Sequence, residues 1–182
     1  MVIIVSGVDR TGKSTLIKGL QDHFYFRNPN GVVPVHLSYY TSFKTPKAYS
    51  KEIYSQHYKD GFEIIKNNNI QDRIRIFSRF HFDEYVYGSM YRNYNTEYIF
   101  NMEKIYKSFL NKVKYILLTD SAENVIARDD GDSHTIDLDL KRKEINLFKE
   151  AYDKSIITNK LMIDISNKTP EEVLYEATRF IK

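Results

Sequence analysis

The chain opens on an apolar run, Val2-Ile3-Ile4-Val5, whose β-branched residues predict a buried strand. Polar residues and glycines from Gly7 to Ser14 interrupt it. Leu16, Ile17 and Leu20 then recur at helical spacing, so strand, glycine-bearing loop and helix follow in that order. A second strand is predicted over Val32-Val33-Pro34-Val35-His36-Leu37, with Pro34 near its start. The spacing of Ile53, His57, Gly61 and Ile64 marks a helix from about Lys47 to Asn67, stopped by the Asn67-Asn68-Asn69 break. Ile74 to Phe77 alternates with arginine as a third strand leading into Ser78-Arg79-Phe80-His81. One long helix is expected from about Thr96 to Lys112, and a buried strand at Tyr115-Ile116-Leu117-Leu118. A short helix from Ala122 to Ala127 precedes the polar, glycine-bearing loop Arg128-Asp129-Asp130-Gly131-Asp132-Ser133. A helix from Leu138 to Tyr152, a fifth strand from Leu161 to Ile165 and a helix from Thr169 to Ile181 complete the pattern. Thr169, Pro170 and Glu172 spell the start of that last helix: an N-cap, a first-turn proline and a capping box. Five strands alternating with helices predict an α/β fold, a parallel sheet covered on both faces, in one domain over 1–182.

Composition narrows the function classes. Of 182 residues 42% are hydrophobic and 28% charged, the balance of a folded chain rather than a disordered one. Lys and Arg exceed Asp and Glu by only 27 to 24, too little and too dispersed to predict nucleic acid or a membrane as partner. There is no cysteine, hence no disulfide framework, thiolate metal site or thiol nucleophile. His23, His36, His57, His81 and His134 lack paired ligand spacing, which argues against zinc. No apolar stretch approaches bilayer length and no signal-like segment opens the chain, so a cytoplasmic location is expected.

Gly7-Val8-Asp9-Arg10-Thr11-Gly12-Lys13-Ser14 matches G-x-x-x-x-G-K-[ST] without departure, between a predicted strand and a predicted helix as the motif requires. Its glycines let successive backbone N–H groups turn toward phosphate oxygens, and the helix beginning near Lys13 adds its positive end. Lys13 is placed for the β- and γ-phosphates and the Ser14 hydroxyl for Mg²⁺. No Asn-Lys-x-Asp segment supports a GTPase: Asn111-Lys112-Val113-Lys114 and Asn159-Lys160-Leu161-Met162 lack the Asp. Leu117-Leu118-Thr119-Asp120 suits a metal-binding strand of a motor ATPase less well than it suits Asp120 as N-cap of the next helix. Two roles fit Asp9 and Arg10. Arg10 stabilises the transferring phosphoryl in cis while Asp9 accepts a sugar hydroxyl, or the two pair with each other or with solvent.

On these residues the chain resembles the thymidylate kinase family of nucleoside monophosphate kinases. The loop through Thr15, with its Asp9-Arg10 pair, is similar to that family's P-loop, and Ser78-Arg79-Phe80 through Tyr87-Gly88 to its Asp-Arg-aromatic segment. Leu117-Leu118 through Arg128 resembles the strand and helix leading to its lid, and the tyrosine-rich middle is similar to bacteriophage-encoded members, which would act in the host cytoplasm. The resemblance implies a P-loop NTPase three-layer sandwich with strand order 2-3-1-4-5 and a lid at about 128–137. It implies phosphorylation of a deoxynucleoside monophosphate, dTMP to dTDP, by ATP with Mg²⁺, and a homodimer. By position, Lys13, Arg10 and Arg79 would be catalytic. Gly7, Val8, Asp9, Arg10, Thr11, Gly12, Lys13, Ser14, Thr15 and Arg128 would hold ATP. Arg79 would grip the acceptor phosphate, Asp9 its 3′-hydroxyl, and Tyr87 would line the acceptor site. Tyr58 or Phe62 would stack on the base, against the alternative that both simply pack the core of an amphipathic helix.

Two departures stand out. Ser78 replaces the family's Asp, and Asp83 is acidic where the family often has Ser, so Asp83 is expected to replace the lost charge. After the second strand, Ser38-Tyr39-Tyr40-Thr41 lacks the arginine that many members direct at the acceptor phosphate, leaving Lys44 as a substitute or a weaker acceptor affinity. A deoxynucleoside kinase is the nearest alternative, but it needs a general base and this segment has no carboxylate. A nucleotide-binding protein with degenerate kinase activity is the other alternative.

Overall fold

The structure, a computed structural model, describes residues 1–26, 35–39, 51–68, 73–131 and 133–182. Strands β1 (Val2–Ser6), β2 (Val35–Tyr39), β3 (Ile74–Ser78), β4 (Val113–Thr119) and β5 (Lys160–Asp164) form one parallel sheet in the order 2-3-1-4-5. Alternation along β1 explains why both faces are covered. Val2 and Ile4 enter a core with Phe77, Tyr115 and Leu117, while Ile3 and Val5 enter another with Ile76, Ile116, Leu118 and Ile163. A strand buried on both sides is apolar throughout, as this run is.

Helix α1 (Lys13–Phe26) closes the second core with Leu16, Ile17 and Leu20, joined by Val173, Ala177 and Ile181 of the C-terminal helix (Pro170–Ile181). Helix α2 (Lys51–Asn68) closes the first core with Tyr54, Tyr58, Phe62 and Ile65. It is joined there by a continuous helical stretch over 81–91, made of α3 (His81–Asp83), a π-helical turn (Glu84–Gly88) and α4 (Ser89–Tyr91). The chains leaving β1 and β3, which are neighbours in the sheet, therefore run to opposite faces. Between their carboxyl ends lies the crevice where sheets of this kind place ligands.

The helix expected from Thr96 to Lys112 is two, α5 (Tyr98–Ile105) and α6 (Lys107–Leu110). They part at Tyr106, whose backbone leaves the helical region (φ −96°, ψ 12°) and whose hydroxyl donates to Glu63 of α2 at 2.6 Å. Helix α7 (Ala122–Ala127) is capped by Ser121, whose hydroxyl accepts from the Asn124 amide, and not by Asp120. Helix α8 (Leu138–Lys154) starts at Asp137, and α9 (Pro170–Ile181) carries the expected Thr169–Glu172 capping box. The expected strand residues 32–34, the helix residues 47–50 and Lys44 lie outside the described residues. Among the described residues no helix is long and apolar enough to cross a membrane.

Candidate phosphate-binding site

The loop after β1 is forced into its path by close packing. Gly7 has φ 145°, and a Cβ there would stand 2.3 Å from the Leu118 carbonyl oxygen and 2.9 Å from the Thr11 hydroxyl. Only glycine fits. Thr11 donates to the Val8 carbonyl at 2.8 Å, and Gly12 (φ 76°) turns the chain into α1. The N-terminal amides of α1 and its positive end are thereby brought to the loop. Lys13 folds over this loop, donating to the carbonyls of Gly7 at 2.9 Å and Val8 at 2.5 Å. It is only 7% exposed. Burial, reinforced by the Arg79 charge, pushes its ammonium down to about 7, against the pull of Asp9 and Asp83. Ser14 and Thr15 are exposed on the first turn of α1. Among the described residues no group of three or more His, Cys, Asp and Glu gathers to hold a metal. A lone hard hydroxyl oxygen such as Ser14's fits Mg²⁺, which takes one or two protein ligands and completes its shell with phosphate and water.

Beside the loop, β3 delivers Arg79. Its amide donates to the Val5 carbonyl at 2.9 Å, and its backbone lies in the left-handed region (φ 67°). Its guanidinium is paired on one side with Asp9 and reaches Asp83 Oδ1 on the other at 3.4 Å. Burial works against that charge, but Asp83, Tyr87 and Asp9 outweigh it and raise the Arg79 pKa above its ordinary value. For Asp9 burial raises the pKa and the Arg79 and Lys13 charges win, so it lies below the usual carboxylate range. The structure thus brings Asp9, Lys13 and Arg79 into one cluster. Asp83, with no exposure, accepts from the Ser6 hydroxyl at 2.8 Å and the Phe80 amide at 3.1 Å, and burial pushes its carboxyl up against Arg79 and Lys13. The Tyr87 hydroxyl is buried, has no hydrogen-bond partner among the described residues and lies in the field of Asp9 and Arg79.

The segment after α7 reaches back over the loop. Arg10, itself at φ 66°, pairs with Asp130, and Arg128 pairs with Asp120. The His134 ring stands 4.8 Å from that of Tyr87 and stacks on Tyr91 at 5.3 Å. A cleft of about 250 Å³ opens between Arg10, Thr15, Arg128, Ile165, Lys168 and Pro170. It adjoins the P-loop on the α9 side.

Two expectations are corrected. Tyr58 and Phe62 are 1% and 0% exposed: Phe62 stacks on Tyr106 at 5.2 Å, and both rings abut Phe80. The resemblance made them stacking candidates; both instead take the core-packing alternative, and neither has a face open to a ligand. Asp120, instead of capping α7, accepts from the Ser121 amide, the Asn124 side chain and Arg128, and so ties the two ends of α7 together. Lys141 of α8 is a charged residue that the sequence reading missed: it is 1% exposed and bound to buried Glu144 at 2.6 Å, which also accepts from Tyr91. The signal was present: Lys141 shares one helical stripe with Ile145, Phe148 and Tyr152. His134 and Asp130 meet partners more than forty residues away, and no local pattern marks them.

Sheet order, P-loop and two-sided helical cover define the architecture of the P-loop nucleotide kinases. Neither a protein-family model nor a curated protein sequence matches the chain. Solved structures do. The YorR protein of Bacillus subtilis, determined with phosphorylated GDP, is 17% identical with a TM-score of 0.70 over 100% of this chain and 95% of its own. The thymidylate kinase of Candida albicans is 17% identical (TM-score 0.64, 99% and 90% covered), and that of Ehrlichia chaffeensis 15% (0.67, 100% and 98%). The fold is therefore the one found in thymidylate kinases, and the resemblance read from the sequence holds at the level of architecture.

Proposed function

We propose that the chain transfers the γ-phosphoryl group of ATP, with Mg²⁺, to a deoxynucleoside monophosphate, dTMP giving dTDP. The observation that carries this reading is the Asp9–Arg79 pair standing beside Lys13, a second cationic anchor next to a polyphosphate cradle. A nucleoside acceptor calls for a general base, and β2 with its flanking residues offers no carboxylate. A monophosphate is already anionic and needs cations that offset repulsion between phosphates.

In this reading Lys13 turns from the Gly7 and Val8 carbonyls to the donor's β- and γ-phosphates. The amides of residues 7–15 cradle these phosphates, and Arg10 moves from Asp130 to the transferred group. Arg79 grips the acceptor phosphate and Asp9 accepts its 3′-hydroxyl, while Tyr87, expected to line the acceptor site, is 1% exposed and backs this pair from the core. Arg128 and the adjoining cleft receive the donor nucleoside. Ser14 holds Mg²⁺, which offsets charge on the donor phosphates. Segment 128–137 closes over both and excludes water. The reading carries with it a cytoplasmic enzyme and a homodimer, the latter checked by sedimentation. A coupled assay with ATP against dTMP, dUMP, dCMP, dGMP and thymidine tests it. Turnover of a monophosphate and none of thymidine supports it. Turnover of thymidine alone would make this a nucleoside kinase, and no turnover at all a nucleotide-binding protein without transfer.

A further inference from the structure

We propose that Asp83 is a positioning residue that aims the Arg79 guanidinium and ties it to the centre of the sheet. The inference rests on Arg79 receiving the acceptor phosphate, as proposed above. An arginine side chain has four soft torsions, and holding its fork in one orientation needs partners on more than one edge. Asp9 supplies one and Asp83 the other. The two differ in kind. Asp9 belongs to the P-loop and is itself assigned to a sugar hydroxyl, so once an acceptor is seated Asp83 is the carboxylate left to Arg79.

Asp83 is built for that duty. It has no exposure and sits on the first turn after Phe80, with Oδ2 fixed by the Ser6 hydroxyl at 2.8 Å and the Phe80 amide at 3.1 Å. Ser6, the last residue of β1, in turn accepts from the Tyr115 hydroxyl at 2.7 Å, and the Tyr115 ring on β4 stacks on Phe82 at 4.1 Å. Every donor in this chain points toward the carboxylate, so the orientation of Arg79 is referred back to two central strands. Ser78, at the end of β3, has no charge to contribute; the carboxylate at position 83 instead reaches Arg79 from one helical turn beyond it.

A carboxylate this close to a cation has two effects of opposite sign on anion binding. By charge alone it competes with the phosphate, so Asp83→Asn should tighten the acceptor. By positioning it keeps the fork aimed, so the same variant should weaken the acceptor. We expect positioning to dominate: Asp83→Asn raises the acceptor KM about tenfold, the usual size for loss of a supporting hydrogen-bond partner. The kcat, the KM for ATP and the Mg²⁺ half-saturation should stay within twofold. Ser6→Ala, which keeps the carboxylate and removes its anchor, should give about threefold in the same parameter. Adding Asp83→Asn to Arg79→Lys should change the acceptor KM no further, because a residue that acts through Arg79 has nothing left to act on. A fall in KM, a shifted Mg²⁺ requirement, or effects that multiply in the double variant would each overturn the proposal. Were the wild type to turn over no monophosphate, the functional reading would fail and the positioning would still be decided by NMR. The Arg79 Nη1–H resonances, assigned by their loss in Arg79→Lys, should exchange slowly in the wild type and fast in Asp83→Asn; equal exchange in both would refute it.

Discussion

Lys13 offers a test of the site that needs no catalysis. Its ammonium is buried and faces Arg79, which sets its pKa near 7 against an ordinary 10.5. Between those values an unfolded chain holds a proton on Lys13 that the folded nucleotide-free protein does not, so the contribution of Lys13 to stability rises with pH from about 7 to 10.5. Polyphosphate on the loop supplies the missing counter-charge and restores the proton. At pH 8 a group of pKa near 7 is roughly one-tenth protonated, so binding takes up about 0.9 of a proton. Above pH 7 the affinity falls about tenfold per pH unit, about 1.4 kcal/mol each. Titration calorimetry at pH 8 with a non-hydrolysable ATP analogue, in two buffers of different ionisation enthalpy, measures the uptake directly. Lys13→Arg is the control, since its guanidinium stays charged throughout and should show no uptake. Heats independent of buffer in the wild type, or equal uptake in Lys13→Arg, would refute the reasoning.

Three further outcomes are expected. Arg79→Ala removes a charge-assisted clamp worth about 2–3 kcal/mol, so kcat/KM for the acceptor should fall roughly 30- to 150-fold while the KM for ATP moves less than threefold in steady-state kinetics. Gly7→Ala sets a methyl against the Leu118 carbonyl at an unfavourable φ, and chemical denaturation should show a loss of at least about 2 kcal/mol together with lost nucleotide binding. Phe62→Ala should cost about 3–5 kcal/mol in the same denaturation experiment, as a core cavity does. Its folded fraction should keep the acceptor KM within twofold, whereas a stacking role would raise that value much more.

The parts legible in the sequence are those where one local signal decides. Val2 to Val5 can only be a doubly buried strand, Thr169-Pro170-Glu172 can only open a helix, and the Gly7–Ser14 spacing admits one loop. The stretch over 81–91 escaped because His81 to Gly88 is buried on every side, so no polar face betrays a period. Its helix is imposed by packing, with Asp83 and Glu84 carried inside and answered by Ser6, Arg79, Arg92, Tyr94 and Tyr98. At Asp120-Ser121 both residues are good caps, and the sequence leaves the choice open by one position. The break at Tyr106 depends on Glu63, distant in sequence, and the contacts of Arg10 with Asp130 and of Tyr87 with His134 are equally non-local. Arg79 is legible through the resemblance of Ser78-Arg79-Phe80 to an Asp-Arg-aromatic segment, whereas the carboxylates that hold it come from two segments that only the folded sheet unites.

The split in the hydrophobic interior has a consequence for how such a molecule tolerates change. The P-loop helix rests on one slab of side chains, through Leu16, Ile17 and Leu20, and the segment beyond Arg79 rests on the other, through Phe82 and Val86. The sheet stands between them as a shared wall. Substitutions beneath one half can therefore reshape it while the opposite half keeps its form, and in the proposed reading recognition of one nucleotide would be free to drift without disturbing recognition of the other.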